Sequence, residues 1–205
     1  MIHLIGAGGH CKVVLDALLA GGADADEITV RDARPERAGE LVLGIPVAFP
    51  ELEDDLAGHA FHVAIGANEA RARLMEAATV RGGTPLSIRH PSAQVSPFAV
   101  IGAGAFVGAN AVVGPGAVVG AGALINHGAV VDHDVSVGEH AFVGAGSVLG
   151  GGASVGESAW LGPRSVVVSG KRVNAGAILP PGSVVADGPD VFSLPGAGSM
   201  AGRRP

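Results

Sequence analysis

An aliphatic residue recurs at every sixth position from Val95 to Val185. The frame passes through sixteen such positions without an insertion, and all sixteen carry Ile, Leu or Val. The second position of the six is often Gly, and the fifth is usually Ala or Ser. A strict six-residue period is typical of a parallel β-helix built from hexapeptide repeats. Three hexads make one triangular coil, so we expect about five coils.

The residues before the repeat predict a different fold. Ile2 to Ile5 form a short apolar run, Gly6-Ala-Gly-Gly-His10 follows as a loop, and Cys11 to Leu19 has helical spacing of apolar residues. Further strands are expected at 28–31 and 61–65, and a second helix at 68–81. Strand, glycine-rich turn, helix and strand make a βαβ unit, which indicates a small parallel, Rossmann-like sheet. We therefore expect an α/β domain over 1–84, a β-helix over 85–188 and a C-terminal tail over 189–205.

Composition excludes several classes of function. The 205 residues carry 13 Lys and Arg against 19 Asp and Glu, with only six Phe, one Trp and no Tyr. Such a chain lacks both the basic surface and the stacking rings of a nucleic-acid-binding protein. The single cysteine, Cys11, rules out an intrachain disulfide and a cysteine-based zinc site. No signal peptide or membrane span is visible, so we expect a cytoplasmic protein.

The glycine-rich loop predicts a phosphate site. A turn between a strand and a helix presents backbone N–H groups to an anion. Asp32 follows the second strand, where a carboxylate can bind a ribose or a base. The third glycine of the dinucleotide fingerprint is replaced by Cys11, so a nucleoside diphosphate fits better than NAD. The alternative is a turn that only packs the helix on the sheet.

The order of motifs resembles one known family. The motifs are Gly6-Ala-Gly-Gly-His10, Ala64-Ile-Gly-Ala-Asn68-Glu-Ala-Arg71, Ile88-Arg-His90-Pro-Ser92-Ala and Val130-Val-Asp-His133-Asp134. Together they are similar to those of the sialic-acid O-acetyltransferase and nucleotide-sugar N-acetyltransferase family, from residue 2 to about residue 188. The resemblance implies a left-handed β-helix, acetyl-CoA as co-substrate without a metal, and a nucleotide-linked 4-amino-4,6-dideoxy sugar as acceptor for glycan synthesis. It also implies a homotrimer with acetyl-CoA between neighbouring β-helices.

The resemblance further implies catalytic residues. His133 matches the family's general base, and Asp134 matches the acidic residue that orients it. Asn126, in the preceding hexad, matches an asparagine near the sugar's amino group. Gly151 follows His133 by one coil, so we expect the two to lie together, with the Gly151 N–H donating to the thioester carbonyl.

Matching positions also suggest the binding residues. The residues carried over for the nucleotide sugar are Gly8, Gly9, His10, Asp32, Gly66 and Asn68. Those for the coenzyme are Phe142, which replaces a family histidine, and Gly151. Arg164 is a further candidate because it is one of the few cations in the late coils, where a contact with the coenzyme's phosphates and a solvated face are both open. The chain reads Arg31-Asp32 where the family usually has two aspartates, which leaves the nucleotide open. Residues 193–197 only loosely match the family's coenzyme-binding tail.

Other functions remain open at this stage. A sugar O-acetyltransferase would use the same base, so the acceptor atom is not determined. A γ-type carbonic anhydrase would need His127, His133 and His140 to converge on zinc, but the first two occupy the same hexad position on adjacent faces. A serine O-acetyltransferase carries a helical N-terminal domain instead of a βαβ unit. A scaffold without catalytic activity would also satisfy the repeat.

Overall fold

The N-terminal part is a parallel sheet with two helices. The computed structural model describes residues 1–186. The strands are β1 (Ile2–Ile5), β2 (Ile28–Arg31), β3 (Leu41–Val42), β4 (Ile45–Ala48), β5 (Ala60–Val63) and β6 (Thr84–Pro85), and the helices are α1 (Gly9–Ala20) and α2 (Asn68–Val80). Short 3-10 turns cover Ala25–Glu27 and Pro35–Arg37. The strand order is β3-β4-β2-β1-β5-β6, with only the β3–β4 pair antiparallel.

The central strand β1 explains how the layers pack. Its side chains alternate between two apolar clusters, as a strand buried on both faces requires. Leu4 packs with Val14 of α1, while Ile5 packs with Leu74 of α2. The predicted parallel α/β fold is confirmed. Strands β3, β4 and β6 were not predicted, because two of them have only two residues and too little sequence to show a period.

The second part is a stack of two-residue strands on three faces. The first face holds β7 (Ile88–Arg89), β10 (Phe106–Val107), β13 (Leu124–Ile125), β16 (Phe142–Val143), β19 (Trp160–Leu161) and β22 (Ile178–Leu179). The second holds β8 (Gln94–Val95), β11 (Val112–Val113), β14 (Val130–Val131), β17 (Val148–Leu149), β20 (Val166–Val167) and β23 (Val184–Val185). The third holds β9 (Val100–Ile101), β12 (Val118–Val119), β15 (Ser136–Val137), β18 (Ser154–Val155) and β21 (Arg172–Val173).

The hexad frame explains the interior of this prism. Val113, Val131 and Leu149 lie in register on neighbouring coils and are no more than 1% exposed. Full burial of one such side chain contributes about 1.5–3 kcal/mol. The predicted stack of parallel hexads is confirmed. The stack begins one strand before the aliphatic pattern does. Its first strand, β7, carries Arg89 at the position where later hexads carry an aliphatic residue, and Arg89 pairs with Val107.

Each corner of the prism is closed by a left-handed residue. From residue 104 to residue 182, the fourth position of every hexad has a positive φ. Most of these residues are glycine, but five carry side chains: Asn110, Asp134, His140, Ser158 and Arg164, with φ between 54° and 59°. A side chain in this region costs roughly 1–2 kcal/mol. We call the corners after the first, second and third faces the first, second and third corners.

The N-terminal domain sits on the first face. Outward side chains of that face, Phe106, Leu124 and Phe142, join the apolar cluster beneath α1. The first-face strands thus contribute to two cores, one inside the prism and one outside it. Within residues 1–186, neither helix is long and apolar enough to cross a membrane.

Candidate active site

His133 and Asp134 form the second corner of one coil. Asp134 adopts the left-handed conformation, with φ 57°. That turn brings its carboxylate to the imidazole, where Asp134 Oδ2 lies 2.9 Å from His133 Nδ1. The side chain of His133 is 58% exposed. The ring is therefore held from one side, while the Nε2 side remains accessible.

Gly151 lies directly against that ring. A Cβ atom at Gly151 would overlap Nε2 and Cε1 of His133. The two residues are one coil apart, because β14 pairs with β17 in register, and Gly152 N donates to His133 O at 3.0 Å. Within residues 1–186, the N–H of Gly151 makes no hydrogen bond. A basic nitrogen and an unpaired backbone donor therefore share one corner.

Electrostatics favours proton acceptance at this corner. The hydrogen bond to Asp134, with the nearby charge of Asp132, raises the pKa of His133. Asp132 also fixes the backbone, since its Oδ1 accepts a hydrogen bond from His133 N at 2.7 Å. An imidazole with a carboxylate on Nδ1 keeps Nε2 as the proton acceptor. This is the arrangement that a general base requires.

The glycine-rich loop lies at the carboxyl end of β1. Gly6 has φ +100°, and its N–H donates to Arg31 O at 2.7 Å. The N–H groups of Gly8, Gly9 and His10 make no hydrogen bond within residues 1–186. A Cβ added at Gly8, Gly9 or Gly66 would meet no atom within 4 Å, so these backbones border open space. The loop is an open anion site at the start of α1.

His10 is a neutral side chain beside this loop. Burial, with the charges of His62 and Arg71, lowers the pKa of His10 to about 3. Its ring meets Phe106 edge to face, with centroids 5.3 Å apart. Its Nε2 atom is buried and has no hydrogen-bond partner within residues 1–186. The first turn of α1 therefore carries a neutral imidazole with an unpaired ring nitrogen.

Asp32 is already engaged within the protein. Its carboxylate accepts hydrogen bonds from Ala7 N at 3.0 Å and from Arg34 Nε at 2.7 Å. The hydrogen bond from Arg34 is the main reason that its pKa lies well below the usual range. Arg37 also donates to Ala7 O at 2.7 Å. Asp32 therefore shapes the loop, and it presents two arginines where the sequence suggested an acidic contact.

Asn68 also has local partners. Its Nδ2 donates to Ser158 O at 2.8 Å, and its Oδ1 accepts from Arg71 Nη2 at 2.9 Å. Sequence analysis gave Arg71 no role, yet it is only 2% exposed. The signal was its spacing from the buried residues Leu74 and Ala78, which places it on the inward side of α2.

The remaining candidate residues lie on other parts of the prism. Asn126 adjoins the first corner, and its Oδ1 accepts from His127 N at 2.8 Å. Arg164 is exposed at the first corner two coils later. Phe142 stacks on Trp160, with centroids 5.6 Å apart, and packs on the N-terminal core. Within one chain, His133, Asp134 and Gly151 therefore lie together at the second corner. The glycine-rich loop lies elsewhere, and so do Asn126, Phe142 and Arg164.

The three histidines considered for zinc occupy three corners. His127 lies at the first corner, His133 at the second and His140 at the third. Within residues 1–186, no three His, Cys, Asp or Glu side chains are grouped to hold a metal ion. The tail over 189–205, including residues 193–197, lies outside the described residues.

Family models match both parts of the chain. A model for the PglD N-terminal domain matches residues 1–78, and one for the GMPPB C-terminal domain matches residues 88–187. A search of curated proteins finds no match.

Solved structures match the whole arrangement. PerB from Caulobacter crescentus, in complex with CoA and GDP-perosamine, is 38% identical over 90% of this chain and 88% of that chain, with a TM-score of 0.79. The acetyltransferase domain of PglB from Neisseria gonorrhoeae FA1090 is 35% identical over 94% and 98%, with a TM-score of 0.74. WeeI from Acinetobacter baumannii AYE, 18% identical over 94% and 99%, shares the fold with a TM-score of 0.71.

The fold, the corner histidine and these similarities together define the class of the protein. An α/β domain in front of a hexapeptide β-helix with a corner histidine defines an acyltransferase of the hexapeptide class. Within that class, the chain belongs to the family of nucleotide-sugar acetyltransferases that includes PerB and PglB. The predicted family, fold and enzyme class are confirmed.

Proposed function

We propose that the chain transfers the acetyl group of acetyl-CoA to the amino group of a nucleotide-linked 4-amino-4,6-dideoxy sugar. The observation that carries the proposal is the second corner, where the ring of His133, oriented by Asp134, occupies the space beside the Cα of Gly151, whose N–H is unpaired within residues 1–186. The similarity to PerB, solved with CoA and GDP-perosamine, supports both substrates. We expect the reaction to take place in the cytoplasm.

The geometry supports a direct acyl transfer. The neutral amine of the sugar attacks the thioester carbonyl, and His133 Nε2 accepts the proton that the amine loses. The N–H of Gly151 donates to the carbonyl oxygen as it becomes negative. The tetrahedral intermediate then collapses, its carbon–sulfur bond breaks, and protonated His133 returns a proton to the departing thiolate. The products are the N-acetylated sugar and CoA.

The nucleotide part of the acceptor fits the glycine loop. The free N–H groups of Gly8 and Gly9, at the positive end of α1, suit a diphosphate. The N–H of His10, the next residue, is also free within residues 1–186. Gly66, which follows the neighbouring strand β5, also has a backbone that borders open space.

A second copy of the chain would complete the site. The glycine loop lies against the first face, and His133 lies at the second corner, so one chain does not join them. The second face, which leads into that corner, carries a valine on five successive coils: Val112, Val130, Val148, Val166 and Val184. Val148 is 39% exposed. We propose that this valine face packs against a neighbour in a homotrimer, with Asn126 and Arg164 of the neighbour facing the acyl donor, whereas Phe142 packs on the N-terminal core of its own chain.

The first experiment measures thiol release from acetyl-CoA. The acceptors are UDP-, GDP- and dTDP-linked 4-amino-6-deoxy sugars and free sialic acid, and the proteins are the native chain and His133→Ala. We expect release with one nucleotide amino sugar, and a fall of about 10²–10⁴-fold in kcat for the variant, the usual contribution of a general base. Release only with sialic acid would establish an O-acetyltransferase. Equal rates for the two proteins would remove His133 from the mechanism.

A second experiment tests the shared site. The His133→Ala variant lacks the base, and the Gly9→Val variant has a blocked glycine-rich loop. We expect each variant alone to be inactive. In a cyclic trimer refolded from an equal mixture, about one quarter of the sites would combine an intact base with an intact loop. Recovery of about that fraction of native activity supports a site between subunits. A mixture that stays inactive would place both halves in one chain.

A further inference from the structure

Arg71 is a buried cation whose hydrogen-bonding capacity is fully used. Its guanidinium is 2% exposed, and every N–H group has an acceptor. The acceptors are Gly122 O at 2.7 Å, Ile65 O and Gly66 O at 3.0 Å, Asn68 Oδ1 at 2.9 Å and His140 O at 2.7 Å. These bonds tie the loop after β5 to the third corner of the β-helix.

None of these acceptors is a carboxylate. Among the ion pairs formed by residues 1–186, none includes Arg71. Burial lowers the pKa of Arg71 to about 10, so it stays charged at neutral pH. Burying a charge without a counter-ion is unfavourable. A neutral side chain would join the two domains at a lower desolvation cost, so the joining of the domains does not account for the charge.

The contacts to Ile65 and Gly66 orient two peptide groups. Both peptide bonds are trans, so each N–H points away from the carbonyl oxygen of the same peptide. Because Arg71 holds the carbonyls of Ile65 and Gly66, the N–H groups of Gly66 and Ala67 point away from it. Within residues 1–186, neither N–H makes a hydrogen bond. Two free donors therefore stand at the start of α2.

These donors lie beside the glycine loop. Strands β1 and β5 are parallel neighbours, so the segments that follow them share one edge of the sheet. The two segments touch, since a Cβ at Gly6 would overlap the side chain of Ile65. The segment that carries Gly66 and the segment that carries Gly8 and Gly9 therefore lie side by side, and a Cβ at any of these three glycines would meet no atom within 4 Å.

We propose that Arg71 is a positioning residue of the nucleotide site: it aims the N–H groups of Gly66 and Ala67 at the diphosphate of the acceptor and places a buried positive charge behind them. This inference rests on the proposed function. It assigns Arg71 an effect on the nucleotide substrate and none on acetyl-CoA.

The test compares Arg71→Met and Arg71→Lys with Arg73→Met, an exposed arginine on the same helix. Calorimetry measures the Kd of UDP, GDP and dTDP without acetyl-CoA, and steady-state kinetics measures both KM values. We expect Arg71→Met to raise Kd and the KM of the nucleotide sugar by about 10- to 100-fold, as for loss of hydrogen bonds from a charged group. Arg71→Lys, which keeps the charge without the fork, should lie between, and Arg73→Met should match the native chain.

The outcomes separate the two proposals. If the native chain binds no nucleoside diphosphate, the proposed acceptor is wrong. If it binds one and the folded Arg71→Met protein binds it equally well, only the role of Arg71 is wrong. An equal rise in the KM of acetyl-CoA would also overturn the inference, because it would indicate general damage. If Arg71→Met does not fold, Arg71→Lys decides: native affinity for the diphosphate contradicts the proposal.

Discussion

The corner that carries His133 belongs to a backbone that repeats every six residues, whereas the Gly6–His10 loop lies where a strand, a helix and a second domain meet. At the corner, the repeat supplies the geometry, and the side chain of His133 is 58% exposed. Around the loop, His10 is half-buried, His62 is buried and Arg71 is held by five hydrogen bonds. A regular backbone leaves its side chains free for chemistry, while an irregular one needs buried polar groups to hold its shape.

The histidines express this difference as opposite pKa shifts. Hydrogen bonding to Asp134 raises the pKa of His133, while burial lowers that of His62 to about 4. The first shift strengthens a base that meets solvent. The second keeps neutral a ring whose Nδ1 lies 2.9 Å from Leu86 O. If the two histidines are used in these two ways, the corner and the buried site respond differently to substitution and to pH.

The largest expected effect comes from Gly151→Ala. The added methyl group would overlap Nε2 of His133, so the ring must leave its position beside Gly151. We expect kcat to fall about 10²–10³-fold, because the displaced base no longer meets the attacking amine, with unchanged affinity for the nucleoside diphosphate. Thiol-release kinetics and calorimetry measure the two quantities.

Gly152→Ala is the matched control. Its methyl group would enter open space, but its φ is +68°, so we expect lower stability by roughly 1–2 kcal/mol with unchanged kcat. If both variants lose kcat alike, the corner as a whole is responsible, and the specific role of Gly151 is wrong.

The second prediction concerns acid stability of the N-terminal domain. His62 binds a proton near pH 6.5 when unfolded but only near pH 4 when folded. Its contribution to stability is therefore complete above pH 6.5 and is lost as pH falls toward 4. At pH 5 the loss is about 2 kcal/mol, from about 1.36 kcal/mol per pH unit.

Urea unfolding at pH 7.5 and pH 5 measures this loss. His62→Asn keeps a donor for Leu86 O and should reduce the loss between the two pH values. His133→Asn, at the exposed corner, should leave that loss in place. An unchanged pH dependence in His62→Asn would mean that His62 does not titrate as its burial requires.

The smallest effect is expected from Asp134→Asn. Asn accepts the left-handed conformation, so the corner keeps its shape. Removal of the carboxylate lowers the pKa of His133, and the rise of kcat/KM with pH should therefore begin at lower pH. Above both pKa values we expect about a tenfold loss, from poorer orientation of the ring. A pH profile identical to that of the native chain would show that Asp134 does not act through His133.

The contacts at the second corner could be predicted from the sequence, whereas the contacts around the glycine-rich loop could not. A six-residue period fixes which residues stack, so the approach of Gly151 to His133 followed from counting. The period does not predict which face the N-terminal domain covers. That face is determined by contacts between residues distant in sequence, made by Phe106, Leu124 and Phe142. For the same reason, Asp32 and Asn68 could be placed near the loop, while their engagement with Arg34 and Arg71 could not be foreseen.

The left-handed corners have a consequence for how such enzymes change. At these positions the backbone keeps its course with glycine, and Asp134 and Arg164 show that it tolerates a carboxylate or a guanidinium as well. A single mutation can therefore place a new functional group at a defined height and direction on the prism, at a cost of roughly 1–2 kcal/mol. The corner positions of the repeat can therefore change their side chains, and with them the chemistry of the surface, while the fold stays the same.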